Sequence, residues 1–225
     1  AAASVSVAGP ADVLTAHIEE SGGALTGDDT RRVAQQSSAQ HVSVVGAGNA
    51  GYLLAALEAN GFASVSQVLP DAGEIPDASA LIALDPHPGW PARTLSVIRD
   101  RVRSGETLFV TAGPAMRRAG ELVFPDMKLT SRRIAGSRSP VLAADLTHPL
   151  LAGLLSSLDT EVYQQVMPDA DQGGHAILVT ETGDPVLIEY PLGAGKVLVL
   201  MTALDPAWSS LVVDPAFVSL ISNLQ

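Results

Sequence analysis

Cysteine is absent from this chain of 225 residues. Its absence excludes disulfides, thiolate metal sites and thiol catalysis together. It leaves the compartment open, since a cysteine-free chain is at home in the cytoplasm or the periplasm. Lysine is scarce too. Lys128 and Lys196 are the only two, beside eleven arginines, and the formal charge is −11. That balance repels a phosphate backbone and argues against nucleic acid as a partner. Aromatic residues make up 4%, so the core must be built from Val, Leu, Ala and Ile. No apolar run reaches the ~18–20 residues that span a bilayer. The start of the chain has no signal-peptide pattern.

What is present is a chain 47% apolar. It is long enough for one α/β domain of ~150–200 residues with a short piece left over. It opens on Ala1 and stops at Gln225, directly after an amphipathic stretch. Those ends predict a piece of a longer protein.

The first forty residues differ from the rest. Residues 4–8 alternate like a strand, and so do residues 30–35 after the turn-like Gly27-Asp28-Asp29. Between them, residues 12–20 fit both periods. Val13, Leu14, His17 and Ile18 share one helical face, while Leu14, Ala16 and Ile18 alternate as in a strand. Ser37-Ser38 marks a boundary, which divides the chain into an extension, 1–38, and a domain, 39–225.

From His41 the pattern becomes α/β. Strands are predicted at 42–45, 65–68, 80–84 and 107–111, and helices at 52–59 and 91–103. Strands alternating with helices predict right-handed crossovers and a mainly parallel sheet. Past Gly120 the pattern turns to strands or hairpins at 127–134, 161–167 and 175–181, with a short helical turn at 148–154.

Several groups of residues could carry chemistry. Gly46-Ala47-Gly48-Asn49-Ala50-Gly51 is a G-x-G-x-x-G run between a strand and a helix, with Asp71 about twenty residues on, as a dinucleotide fingerprint requires. Such a loop aims backbone N–H groups at a pyrophosphate. However, the second strand is short and Asp71 lies beyond it, behind Pro70. No hydride-transfer site follows. The bland alternative is a glycine-rich turn. Asp85-Pro86-His87-Pro88 follows the third strand, where ligands gather. It reads either as an acid–base or metal pair or as a proline-stiffened loop with Asp85 as a cap. The histidines His17, His41, His87, His148 and His175 form no zinc spacing. Asp28-Asp29 and Asp169-Ala170-Asp171 offer too few ligands for Ca²⁺. Trp90 and Trp208 are predicted on loops, with Trp208 buried.

The last forty residues are the most specific. Residues 186–190 and 196–202 read as two strands joined by a turn at Gly193 and Gly195. Asp214-Pro215 then opens a helix. Gly193, Gly195, Lys196, Thr202, Leu204, Asp205, Pro206, Trp208, Ser209, Leu211, Pro215, Ala216, Phe217 and Val218 together resemble the end of a class I glutamine-amidotransferase-like domain. The resemblance is to the version in membrane-anchored bacterial proteins of the Bat aerotolerance type, which carry von Willebrand factor A modules. Leu25, Asp28, Asp29, Thr30, Arg31 and Arg32 resemble the strand that ends a β-sandwich before that domain, which favours strands in the extension. His148-Pro149-Leu150-Leu151-Ala152-Gly153-Leu154 is also similar.

The resemblance implies a three-layer α/β/α sandwich, flavodoxin-like, with an N-terminal β extension. It implies attachment to the inner membrane through segments outside this sequence, and partnership with von Willebrand factor A modules or a MoxR-type ATPase system. It places the nucleophile elbow at Val110-Thr111-Ala112-Gly113-Pro114. There the thiol is missing and Thr111 supplies the only hydroxyl, with no base placed beside it. The expected function is a non-catalytic interaction or scaffolding domain without a cofactor. The alternatives are a nucleotide-binding domain using Gly46, Gly48, Asn49 and Gly51, and a hydrolase with a site near Asp85, His87 and Thr111.

Overall fold

The computed structural model describes residues 4–8, 13–19, 30–34, 41–47, 50–62, 64–133, 139–154, 158–169 and 173–224. The chain divides into two compact units, Ala1–Ala39 and Gln40–Gln225.

The first unit is a three-stranded antiparallel sheet of β1 (Ser4–Ala8), β2 (Val13–Glu19) and β3 (Thr30–Ala34), with β2 in the middle. Val5 faces Ile18 and Thr15 faces Arg32. The stretch that satisfied both periods is therefore a strand. Ladder partners on both sides outweigh a short amphipathic helix that would have to stand alone.

The second unit begins with β4 (His41–Val45), α1 (Gly51–Ala59), β5 (Ser64–Val68), β6 (Ala80–Leu84), α2 (Ala92–Arg103), β7 (Thr107–Thr111) and α3 (Pro114–Ala119). It continues through β8 (Glu121–Val123), β9 (Asp126–Arg133), β10 (Ser139–Ala143), β11 (Glu161–Val162), β12 (Gln164–Pro168), β13 (His175–Thr180), β14 (Pro185–Leu192), β15 (Gly195–Leu200) and α4 (Pro215–Ser222). Nine strands form one sheet in the order β11-β10-β13-β14-β15-β7-β6-β4-β5, and β12-β9-β8 form a small second sheet.

Among the described residues, only β15, β7, β6, β4 and β5 pair in parallel. The expectation of a mainly parallel sheet is corrected here. β14, β13, β10 and β11 extend it antiparallel. The reason lies in the connections, since a tight turn such as that between β14 and β15 can join only antiparallel neighbours.

Each face of this sheet carries its own apolar cluster. Leu53 and Leu57 of α1 and Phe217 and Ile221 of α4 meet Val42, Val44, Ile82, Leu198 and Leu200. Ile98 and Val102 of α2 and Met116 of α3 meet Val45, Leu81, Ala83, Val197, Val199 and Met201. The alternation of Val197 and Val199 with Leu198 and Leu200 places β15 at the centre, buried on both sides, as its continuous apolar run predicts. Asp214 caps α4, its Oδ1 accepting from Ala216 N at 2.8 Å, with Pro215 in the first helical turn.

Candidate functional site

A cleft of about 690 Å³ opens at the carboxyl ends of the five parallel strands. Each strand is followed by a segment that lines it: Ala47 after β4, Asp71 after β5, Asp85 after β6, Ala112 after β7 and Asp205 after β15. Ligands of open α/β sheets gather at such a place because the loops there diverge above the strand ends.

Asp85 is the hinge of the site. It is the only non-glycine with positive φ among the described residues, at 52°. Its N–H donates to Thr111 O at 3.0 Å. Its carboxylate accepts from Ala115 N at 2.8 Å and Met116 N at 2.7 Å, the first free N–H groups of α3. Gly113 at the helix start has no side chain to cap them, and Pro114 has no N–H. Asp85 therefore caps α3 from a neighbouring loop, which accords with the capping reading of this residue.

Gly113 is dictated by the same contact. A Cβ there would lie 2.3 Å from Asp85 Cγ and 2.5 Å from Oδ2. Its φ of −166° is ordinary extended backbone, so the requirement is for space. Thr111, the hydroxyl of the elbow, is 2% exposed, paired between Leu84 and Leu200 across β6 and β15.

His87 also lines the cleft, but its partners are separate from those of Asp85. Its Nδ1 accepts from Gly89 N at 3.1 Å, and its ring stands edge-on to Trp90 with centroids 6.4 Å apart. Asp85 and His87 thus line one cleft, and the Asp85 carboxylate accepts one N–H of α3 on each oxygen.

Of the glycine run, Gly46 and Gly51 are described, while Gly48 and Asn49 lie outside the described residues. Gly46 has φ of 140°, and a Cβ on it would meet Leu84 O at 2.7 Å. Close approach of the β4 and β6 ends accounts for that glycine without a ligand. Gly51 opens α1, whose N-cap, Ala50, offers no side-chain acceptor. Ala47 and Asp71 do meet at one cleft, as a fingerprint would need.

A second polar group stands on the antiparallel side of the sheet. The His148 and His175 rings lie 6.1 Å apart, a pairing that their separation in sequence hides. His175 Nε2 is 2.9 Å from Asp145, and His148 Nε2 is 3.4 Å from Glu189. Lys196 Nζ is 2.9 Å from the same Glu189 oxygen. The Thr147 hydroxyl, His175 and the Thr147 N–H lower the Asp145 carboxyl from its ordinary 3.8 to about 2. Burial opposes ionisation of Glu189, but Lys196 and His148 outweigh it and hold that carboxyl below its ordinary value.

Among the described residues no group of three or more His, Asp or Glu side chains is placed to hold a metal ion. Asp169 is exposed, and Asp28, Asp29, Ala170 and Asp171 lie outside the described residues. Trp208 is 5% exposed, with the Arg117 guanidinium 5.2 Å above its ring. No helix among the described residues is long and apolar enough to cross a membrane. Sequence reasoning missed α3, β8 and β10, and with α3 the partner of Asp85. The Gly113-Pro114 pair, a glycine before a first-turn proline, was the signal for that helix.

No family model matches this chain, and no curated protein matches it either. Solved structures do. The chain is similar to the cytoplasmic protein STM3548 from Salmonella typhimurium, with a TM-score of 0.60 and 13% identity over 82% of this chain and 96% of that one. It is similar to the cytoplasmic protein STM1381 from Salmonella typhimurium LT2, with a TM-score of 0.58 and 13% identity over 75% of this chain and 90% of that one. PurLQS from Thermotoga maritima aligns with a TM-score of 0.56 and 12% identity, over 83% of this chain and 98% of that one. Likeness at such identity speaks for the fold alone, a mixed α/β architecture around a large sheet.

Proposed function

We propose that this chain is a non-catalytic interaction domain with a class I glutamine-amidotransferase-like fold. Numbered within its α/β part, the parallel strands run 2-1-3-4-5, which is the flavodoxin-like order, with helices on both faces. The observation that carries the reading is the elbow. The Val110–Pro114 elbow holds no thiol, and the Asp85 carboxylate fills the space that a side chain on Gly113 would need. Thr111, the remaining hydroxyl, is buried in the β7 ladder.

The resemblance of the last forty residues extends the proposal. The domain belongs to a membrane-anchored bacterial protein of the Bat aerotolerance type, and its partners are von Willebrand factor A modules or a MoxR-type ATPase system. The purified chain should release no ammonia from glutamine and should bind a purified von Willebrand factor A module from the same organism. Ammonia release abolished by Thr111→Ala would overturn the non-catalytic reading. A failure to bind either the module or the ATPase would overturn the partnership.

One observation favours a second reading. Ala47 of the glycine run and Asp71 share the cleft. A nucleotide-binding domain would use that arrangement. Calorimetry with NAD, FAD and ATP tests it, and micromolar binding lost in Gly48→Val would promote it.

A further inference from the structure

The cleft is uneven in charge. Among the described residues, Asp71, Asp85 and Asp205 line it and no Lys or Arg does. The Asp85 carboxylate is spent on α3. Asp205 Oδ1 accepts from Ala207 N at 2.8 Å within its own turn, and Asp205 is exposed. Asp71 is exposed at the other rim.

The chain has two tryptophans, Trp90 and Trp208, and both line the cleft. They are 7% and 5% exposed, so each presents a small part of an indole to the cleft, and indoles attract cations. At the margin that contact already exists, with Arg117 over Trp208 and its Nη1 donating to Gln164 Oε1 at 3.0 Å.

We propose that this cleft binds an organic cation, an ammonium or guanidinium group on a hydrocarbon stem. The charge lies between Asp71 and Asp205, and the stem lies against the tryptophans and Pro70 and Pro91. A polyanion would face carboxylates without a lining counter-charge. The volume falls within the ~300–1,000 Å³ usual for small-ligand sites. A free amine and a basic side chain of a partner protein share this chemistry. The inference rests on the non-catalytic reading in one respect, that the ligand leaves unchanged.

Both tryptophans lie in the cleft, so intrinsic indole emission reports on it. Agmatine and the peptide acetyl-Gly-Arg-Gly-amide are titrated into the full chain, with inorganic phosphate and ATP as anionic controls. Saturable change with a cation is expected, roughly tenfold weaker in Asp71→Asn/Asp205→Asn, where Asn keeps the turn acceptor. Added salt should weaken it further. Tighter saturation by the peptide assigns the site to a partner's side chain, and tighter saturation by agmatine assigns it to a free amine.

The single variant Asp71→Asn, at an exposed position, keeps the test open if the double variant does not fold. The proposal is overturned by an absence of saturable change with both cations, by cation binding that the foldable variant leaves unweakened, or by saturation with phosphate or ATP alone. Agmatine recovered intact is expected. Its consumption would overturn the non-catalytic reading while leaving the binding site standing.

Discussion

The carboxylate of Asp85 stands where a side chain on Gly113 would have to go, with Cγ 2.3 Å from that position. One residue thus caps α3 and closes the elbow. Asp85→Ala should cost about 1–3 kcal/mol, the range for leaving buried donors unsatisfied. Asp85→Asn should cost less, because Asn keeps an acceptor and tolerates the left-handed backbone. Urea unfolding of the two variants checks the order. Equal midpoints would mean that water replaces the cap.

Gly195 is held by crowding as well. A Cβ there would lie 2.2 Å from Val102 O and 2.3 Å from Glu106 O, both backbone atoms that cannot swing aside. Gly195→Ala should lower stability by about 1–3 kcal/mol, as overpacking does. Thermal melting would show no loss if the turn before β15 can lift away from α2.

Phe217 is 1% exposed and joins α4 to the sheet. Phe217→Ala should cost ~3–5 kcal/mol, a large share of a domain's net stability. Lys196 is 42% exposed and paired with Glu189 at 2.9 Å, so Lys196→Ala should cost no more than about 1 kcal/mol. Denaturant midpoints that rank the two in the opposite order would refute this assignment of core and rim.

Asp145 links stability to pH. Its folded carboxyl is lowered from 3.8 to about 2. A depressed carboxyl contributes stability that is complete above its unfolded value and is lost as pH falls through its folded value. The melting-temperature gap between the protein and Asp145→Asn should therefore be full near neutral pH and should shrink as pH falls from 3.8 towards about 2. A gap independent of pH would show that the Thr147 and His175 contacts do not favour the charged form.

Local pattern determined much here. Periodicity marked the parallel strands β4, β5, β6 and β7, the helices α1 and α2, the doubly buried β15 and the Asp214-Pro215 start of α4, because each signal lies within one short window. The absence of cysteine removed thiol chemistry outright. Tertiary structure decided the rest. Whether residues 13–19 form strand or helix depended on ladder partners on either side. The antiparallel half of the sheet depended on which strands met across turns. The fate of Asp85 depended on a helix start thirty residues away, and that of Gly113 on Asp85 in return. The pairing of His148 with His175, and the lining of one cleft by both Trp90 and Trp208, also joined distant segments. A sequence window records which side chains are available. Which of them share a volume, and so spend their hydrogen bonds on one another, is set only when the sheet brings its strand ends together.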